Sequence, residues 1–141
     1  MAGKIVLIDA GPLVALLAAD DAAHAVCVDE SRRYSPPFIT TWAVLAEAAW
    51  LLRRKPDGIP RLMELISSGL VQCAELVPED AIAISALATT YSDLKPDLAD
   101  LTILRLASRS ESVVIFTLDR RDFTVYRDVR GKPLELIPAQ I

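Results

Sequence analysis

The chain reads as an α/β protein, with a mostly parallel sheet wrapped by helices on both sides. Three observations predict this. Ile5-Val6-Leu7-Ile8 is an unbroken apolar run with three β-branched members, closed by Asp9, Gly11 and Pro12. Val113-Val114-Ile115-Phe116-Thr117-Leu118 is a second such run, and it too meets a carboxylate, Asp119. Continuous apolar runs bounded by turn residues are strands buried on both faces. Between them, strand-like and helix-like segments alternate, as parallel strands joined by helical crossovers require.

The elements follow in order. Lys4 to Ile8 is the first strand. Gly11-Pro12 open a short helix through Leu13, Leu16 and Leu17, because proline suits a first helical turn. Asp20-Asp21 supply caps for a helix from about Ala22 to Arg33. Pro36-Pro37 end it and lead into a second strand, Phe38-Ile39-Thr40. Thr40 or Thr41 caps an apolar helix from Trp42 to about Arg54. Lys55-Pro56-Asp57-Gly58 is a break. Ile59 to Ser68 is a helix, stopped by Gly69. Leu70 to Val77 is the third strand. Pro78-Glu79-Asp80 open a helix to about Tyr91, and Lys95-Pro96 break it. Asp97 to Arg109 is the next helix, with Leu98, Leu101, Ile103, Leu104 and Leu106 as its apolar face. After the strand at Val113, Arg120 to Arg130 is irregular or briefly helical, and Leu134 to Ile137 is a last short strand.

The 141 residues suit one domain, taken as 1–141. A hydrophobic fraction of 52% fills a core and leaves apolar surface for a partner subunit, favouring a homodimer. Net charge of −4 disfavours a general nucleic-acid coating protein. It leaves room for an enzyme that meets nucleic acid at one site through metal ions. Cys27 and Cys73 form no metal-ligand pattern and read as reduced, buried thiols of a cytoplasmic protein. Asp9, Gly11 and Pro12 interrupt the apolar run after Lys4, which argues against a signal peptide. No stretch approaches the roughly 20 apolar residues of a membrane span.

The chemistry lies in the acids. In a parallel sheet, strand ends of one sense share an edge, and neighbouring strands are about 4.8 Å apart. If the strands ending at Asp9 and Asp119 adjoin, their carboxylates face each other. Glu47 is the only charge between Arg33 and Arg53, on a helix apolar nearly all round. Such a helix is buried, so Glu47 is expected to be buried or to line the site. Its alternative is a surface pair with an arginine such as Arg53. Asp97 and Asp100 share a helix face at i and i+3. Capping explains Asp97 better than Asp100, which sits among apolar residues.

Converging carboxylates repel by about 4 kcal/mol per pair at 4 Å and an effective dielectric of 20. They are tolerated if protonated or joined by a cation. Oxygen-only donors select hard ions such as Mg²⁺ or Mn²⁺. Such an ion acidifies a bound water, and the natural substrate is a phosphodiester.

These residues resemble a family, the PIN-domain ribonucleases, and most closely the VapC toxins paired with a small antitoxin. The matching pieces are Ile8-Asp9-Ala10-Gly11-Pro12-Leu13, Thr41 to Glu47, Leu98-Ala99-Asp100, and Thr117 to Phe123. Together they span nearly the whole chain. The resemblance implies a three-layer α/β/α sandwich and a metal-dependent endoribonuclease acting on RNA. Its catalytic and metal-holding acids are, by position, Asp9, Glu47, Asp100 and Asp119. Thr117 matches the family's hydroxyl near the metal. Asp122 matches a less regular acid, and Asp97 has no firm counterpart. Many relatives dimerise and are inhibited by an antitoxin segment, which is the partner implied here.

Other residues read more plainly. Asp97 and Asp122 are expected to be caps or solvated charges, and His24 a structural, hydrogen-bonded histidine. Trp42 and Trp50 are expected in the core or a dimer interface, because their helix is apolar. Arg120, Arg121, Arg127, Arg130 and Lys132 form either a phosphate-steering rim or a solvated loop. Two other functions compete. A receiver-type phosphoacceptor needs an aspartate ending a middle strand and a lysine ending a later one, and neither stands here. A catalytically silent binding module of the same fold is the remaining alternative, and the presence of all four acids speaks against it.

Overall fold

The structure, a computed structural model, describes residues 3–139. Five strands form one sheet: β1 (Ile5–Ile8), β2 (Phe38–Thr40), β3 (Val71–Cys73), β4 (Val113–Phe116) and β5 (Leu136–Ile137). Their order is β3-β2-β1-β4-β5, and every pairing is parallel. The two apolar runs are therefore central and adjacent. Ile8 stands opposite Phe116, so one step further Asp9 stands level with Thr117 and both carboxylates reach the same edge.

Seven helices flank the sheet: α1 (Ala10–Leu17), α2 (His24–Ser31), α3 (Trp42–Leu51), α4 (Gly58–Ser67), α5 (Pro78–Thr90), α6 (Leu98–Ser108) and α7 (Arg120–Phe123). Among the described residues no helix is long and apolar enough to cross a membrane. The core lies where β1 and β4 meet the helices: Val6, Leu7, Ile8, Val114, Ile115 and Phe116 are buried with Leu13, Leu45 and Ile103. Continuous apolar strands have this environment, because helices cover both faces.

Several boundaries move for local reasons. The third strand is three residues long rather than the eight from Leu70 to Val77. Val71, Gln72 and Cys73 are the residues that stand in register with β2, itself three residues long. The strand at Val113 ends at Phe116, before Thr117 and Leu118 turn the corner to Asp119. The last strand is reduced to Leu136–Ile137, the residues that face β4. The helix expected from Ala22 starts at His24, and Asp21 accepts the Ala23 N–H at 2.8 Å in the turn before it. Gly58 opens α4 instead of ending the break, with Asp57 left-handed at φ 57° just before it.

Of the two places expected for the tryptophans of α3, the core is ruled out. Trp42 and Trp50 are 62% and 63% exposed, and neither is in the core. They lie eight residues apart and share an outer stripe of α3 with Ala46. An all-apolar helix can turn one side outward, since periodicity cannot choose which face is buried when every face is apolar. The inner face is Val44, Leu45 and Ala48. Cys27 is buried and Cys73 half-buried, both free. Burial pushes the Cys27 thiol up to about 11, so it is no nucleophile.

Candidate active site

Asp9 follows β1 and occupies the N-cap of α1 without a side-chain bond into that helix. Its carboxylate is turned instead toward Thr117, whose hydroxyl donates to Asp9 Oδ2 at 2.9 Å. The same Thr117 oxygen accepts the Asp119 N–H at 3.0 Å. Thr117 is fully buried. It therefore ties the two strand-end acids together through one atom. The other oxygen, Asp9 Oδ1, is buried and has no hydrogen-bond partner.

Asp119 caps α7, accepting the Asp122 N–H at 3.4 Å. Asp97 caps α6, accepting the Asp100 N–H at 2.8 Å. Three of the acids thus stand at helix starts, where the backbone dipole favours negative charge. Carboxylate oxygens of Asp100, Asp119 and Asp122 come within 4.8 Å of one another. Tyr126 lies beneath them, fully buried, with its hydroxyl donating to Asp100 Oδ2 at 3.5 Å. Burial, followed by nearby carboxylates led by Asp100, raises the Tyr126 phenol, which stays a donor.

Glu47, in the middle of α3, is close enough to feel the Asp9, Asp97 and Asp119 charges but is not among the three acids that converge within 4.8 Å. Thr41 caps that helix by accepting the Val44 N–H at 3.3 Å. Thr41 and Thr102 share a buried hydroxyl contact of 2.8 Å. Because Thr102 donates to the Ala99 carbonyl at 2.7 Å, Thr41 is left to donate to Thr102. This contact locks α3, which carries Glu47, to α6, which carries Asp100. Arg53 does not pair with Glu47. Its guanidinium lies 3.9 Å over the Trp50 ring and donates to the Trp50 carbonyl.

The group is electrostatically uncomfortable. Burial raises Asp9, with the Asp97 and Asp119 charges adding to it, while the Ala10 amide and Thr117 pull the other way. Glu47 is raised by burial and then by Asp9, Asp97 and Asp119. Asp100 is pushed up to about 8, first by burial and then by Asp9, Asp97, Asp119 and Glu47. Asp97 is thus both a cap and a source of the local field. Asp122 is more than a solvated charge, since it joins Asp100 and Asp119. The i, i+3 spacing of Asp97 and Asp100 was the sequence signal for that pair, whereas Asp122 was singled out only through the family resemblance. Tyr126 carried no such signal.

The arrangement fits a divalent cation on its own terms. Its donors are all oxygens, as Mg²⁺ and Mn²⁺ prefer. A buried carboxylate oxygen without a partner is an open ligand position.

Other residues play plainer parts. His24 Nδ1 is 2.7 Å from the Ala15 carbonyl, a structural bond between α2 and α1. Arg127 donates to the carbonyls of Thr124, Val125 and Tyr126, and Arg130 to Glu111 at 3.1 Å. Arg127 thus holds its own loop, and Arg130 ties that loop to Glu111, just before β4. Arg120 keeps Nε and Nη2 buried without a partner.

A parallel α/β fold with acids gathered at the carboxyl edge of its central strands defines the class of protein. Residues 6–129 match the PIN domain model, and the chain belongs to that family. It is 26% identical over 137 residues to ribonuclease VapC26 of Mycobacterium tuberculosis (strain ATCC 25618 / H37Rv), covering 94% of this chain and 99% of the relative. The fold is similar to the crystal structure of Mycobacterium tuberculosis VapC20, a sarcin-ricin loop cleaving toxin. The TM-score is 0.74 at 17% identity, over 82% of this chain and 91% of that one.

Proposed function

We propose that this protein is a metal-dependent endoribonuclease of the VapC toxin type, with Asp9, Glu47, Asp100 and Asp119 as its catalytic and metal-holding residues. The observation that carries the reading is Asp9 Oδ1, buried and unpartnered beside acids whose charges raise one another. Family membership and the likeness to ribonuclease VapC26 support it.

A bound Mg²⁺ or Mn²⁺ would supply charge neutralisation for a phosphodiester and acidify water for attack. The chain's own residues set the stage. Thr117 orients Asp9 and anchors the Asp119 backbone, holding two carboxylates in register. Asp122 extends the set beside Asp119. Burial and the neighbouring carboxylates favour the protonated form of Asp100, and holding a metal would require it to give that proton up. Metal binding is therefore pH-dependent and proton-releasing.

The substrate is RNA, and the place of action is the cytoplasm. The exposed stripe of Trp42 and Trp50, continued by Leu51, provides the apolar surface for a partner, either a second copy or a small antitoxin.

The test is cleavage of a mixed structured RNA with Mn²⁺, Mg²⁺ or EDTA, beside Asp9→Asn and Asp119→Asn. Metal-dependent cutting that both variants lose is the expected result. A protein that binds no Mn²⁺ at millimolar concentration and cuts nothing would instead be a silent PIN-fold binding module.

A further inference from the structure

We propose that Tyr126 is a positioning residue for Asp100, holding its carboxyl group in the set that faces Asp119 and Asp122. The inference rests on the acidic cluster being the metal site described above.

Tyr126 is fully buried, and its hydroxyl has one hydrogen-bond partner, Asp100 Oδ2 at 3.5 Å. Most side-chain hydrogen bonds go to backbone or water rather than to another side chain. Here it takes a carboxylate of the cluster. The ring is fixed on two sides by edge-on aromatic contacts, with Tyr91 at 4.9 Å and Phe123 at 5.2 Å between centroids. Its backbone N–H bonds the Asp122 carbonyl at 3.2 Å. One residue is thus attached to the α7 turn, which carries Asp119 and Asp122, and touches the acid of α6.

Asp100 needs such a contact. Its own backbone is held by the Asp97 cap, but that bond does not orient its carboxyl group. A donor on Oδ2 leaves Oδ1 free to turn toward Asp119 and Asp122. Partners that orient metal-holding side chains typically change metal affinity or activity about 10–100-fold when removed.

The experiment is Mn²⁺ calorimetry on wild type, Tyr126→Phe, Tyr91→Phe and Asp100→Asn, with urea unfolding of each. Tyr126→Phe keeps the ring and is expected to weaken Mn²⁺ binding about tenfold, while raising the metal concentration needed for half-maximal cleavage. Tyr91→Phe removes the hydroxyl that accepts the Arg127 N–H in the same aromatic stack. It is expected to bind Mn²⁺ as wild type does. In an Asp100→Asn background, Tyr126→Phe is expected to have no further effect on affinity.

Wild-type affinity in Tyr126→Phe would overturn the inference, as would equal losses in Tyr91→Phe and Tyr126→Phe. A lowered urea midpoint with unchanged affinity would make Tyr126 a packing residue only. Failure of wild type to bind Mn²⁺ would overturn the metal-site reading, and this inference with it.

Discussion

Thr117→Val removes one oxygen that serves two acids. The valine methyl fills the hydroxyl's space, so the loss is polar rather than a cavity. Asp9 Oδ2 loses its donor at 2.9 Å, and the Asp119 N–H loses its acceptor at 3.0 Å. A hydrogen bond to a charged group contributes about 1.5–3 kcal/mol, and a buried amide left unpaired costs about 1–3 kcal/mol. Both losses pass through one atom and do not simply add. The expected destabilisation is therefore about 2–4 kcal/mol. With a urea m-value of about 2 kcal/mol/M, the midpoint falls by about 1–2 M.

Thr117→Ser is the control. It keeps both bonds and loses one buried methyl, which costs about 0.5–1.5 kcal/mol. Function should follow the hydroxyl as well. Thr117 lowers the Asp9 pKa, so the valine variant is expected to hold its proton at higher pH and bind Mn²⁺ more weakly at neutrality. Urea unfolding in EDTA and Mn²⁺ titration measure both effects. A valine variant within about 0.5 kcal/mol of wild type, or a serine variant as damaged as valine, would refute the reasoning.

Other consequences are equally open to measurement. Without metal, stability should fall as pH rises from about 4 toward about 8. Over that window native Asp100, at about 8, keeps a proton that the unfolded chain, near 3.9, has released. Asp9 and Glu47 act in the same sense, whereas Asp80, held below its usual value, has the opposite sign: its stabilisation is present throughout this window and is lost only as pH falls below about 4. Thermal unfolding in EDTA at pH 5 and pH 8 reads the slope; Asp100→Asn should flatten it, and saturating Mn²⁺ should raise the pH 8 value. Asp9→Asn is expected to abolish cleavage yet stabilise the metal-free protein by about 0.5–2 kcal/mol, as relief of a strained functional site does; a drop in its urea midpoint would contradict this. Gly58→Ala sets a methyl 2.7 Å from the Leu52 carbonyl oxygen and should cost about 1–3 kcal/mol in the same assay. Replacing Trp42 and Trp50 together by serine should shift stability little and weaken self-association in sedimentation; unchanged association would remove that stripe from the interface.

Much of the architecture was legible because it depends on local order along the chain. Two apolar runs ending in aspartate could only be central strands, and their parallel pairing put Asp9 level with Thr117. Caps at Thr41 and Asp97 could be read from residue type and position. Strand ends were harder, because a strand lasts only as long as its neighbour: β3 stops at Cys73 where β2 stops at Thr40.

Burial and proximity could not be read that way. Alternation and periodicity assign faces only when polar residues mark the outside, and α3 has almost none, so Trp42 and Trp50 stayed open between core and interface until the fold turned them out of the core. Asp122 looked like a cap until α6 brought Asp100 beside it. Tyr126 had no signal at all, since a tyrosine in a polar loop acquires its meaning from the carboxylate 3.5 Å away, 26 residues earlier in the chain. Residue type and spacing along the chain therefore settled the elements and their order, and with them the sheet edge that Asp9 and Asp119 share. Which side chains are buried, and which groups hold those acids in place, came from contacts between distant segments, because desolvation and hydrogen bonding depend on separation in space.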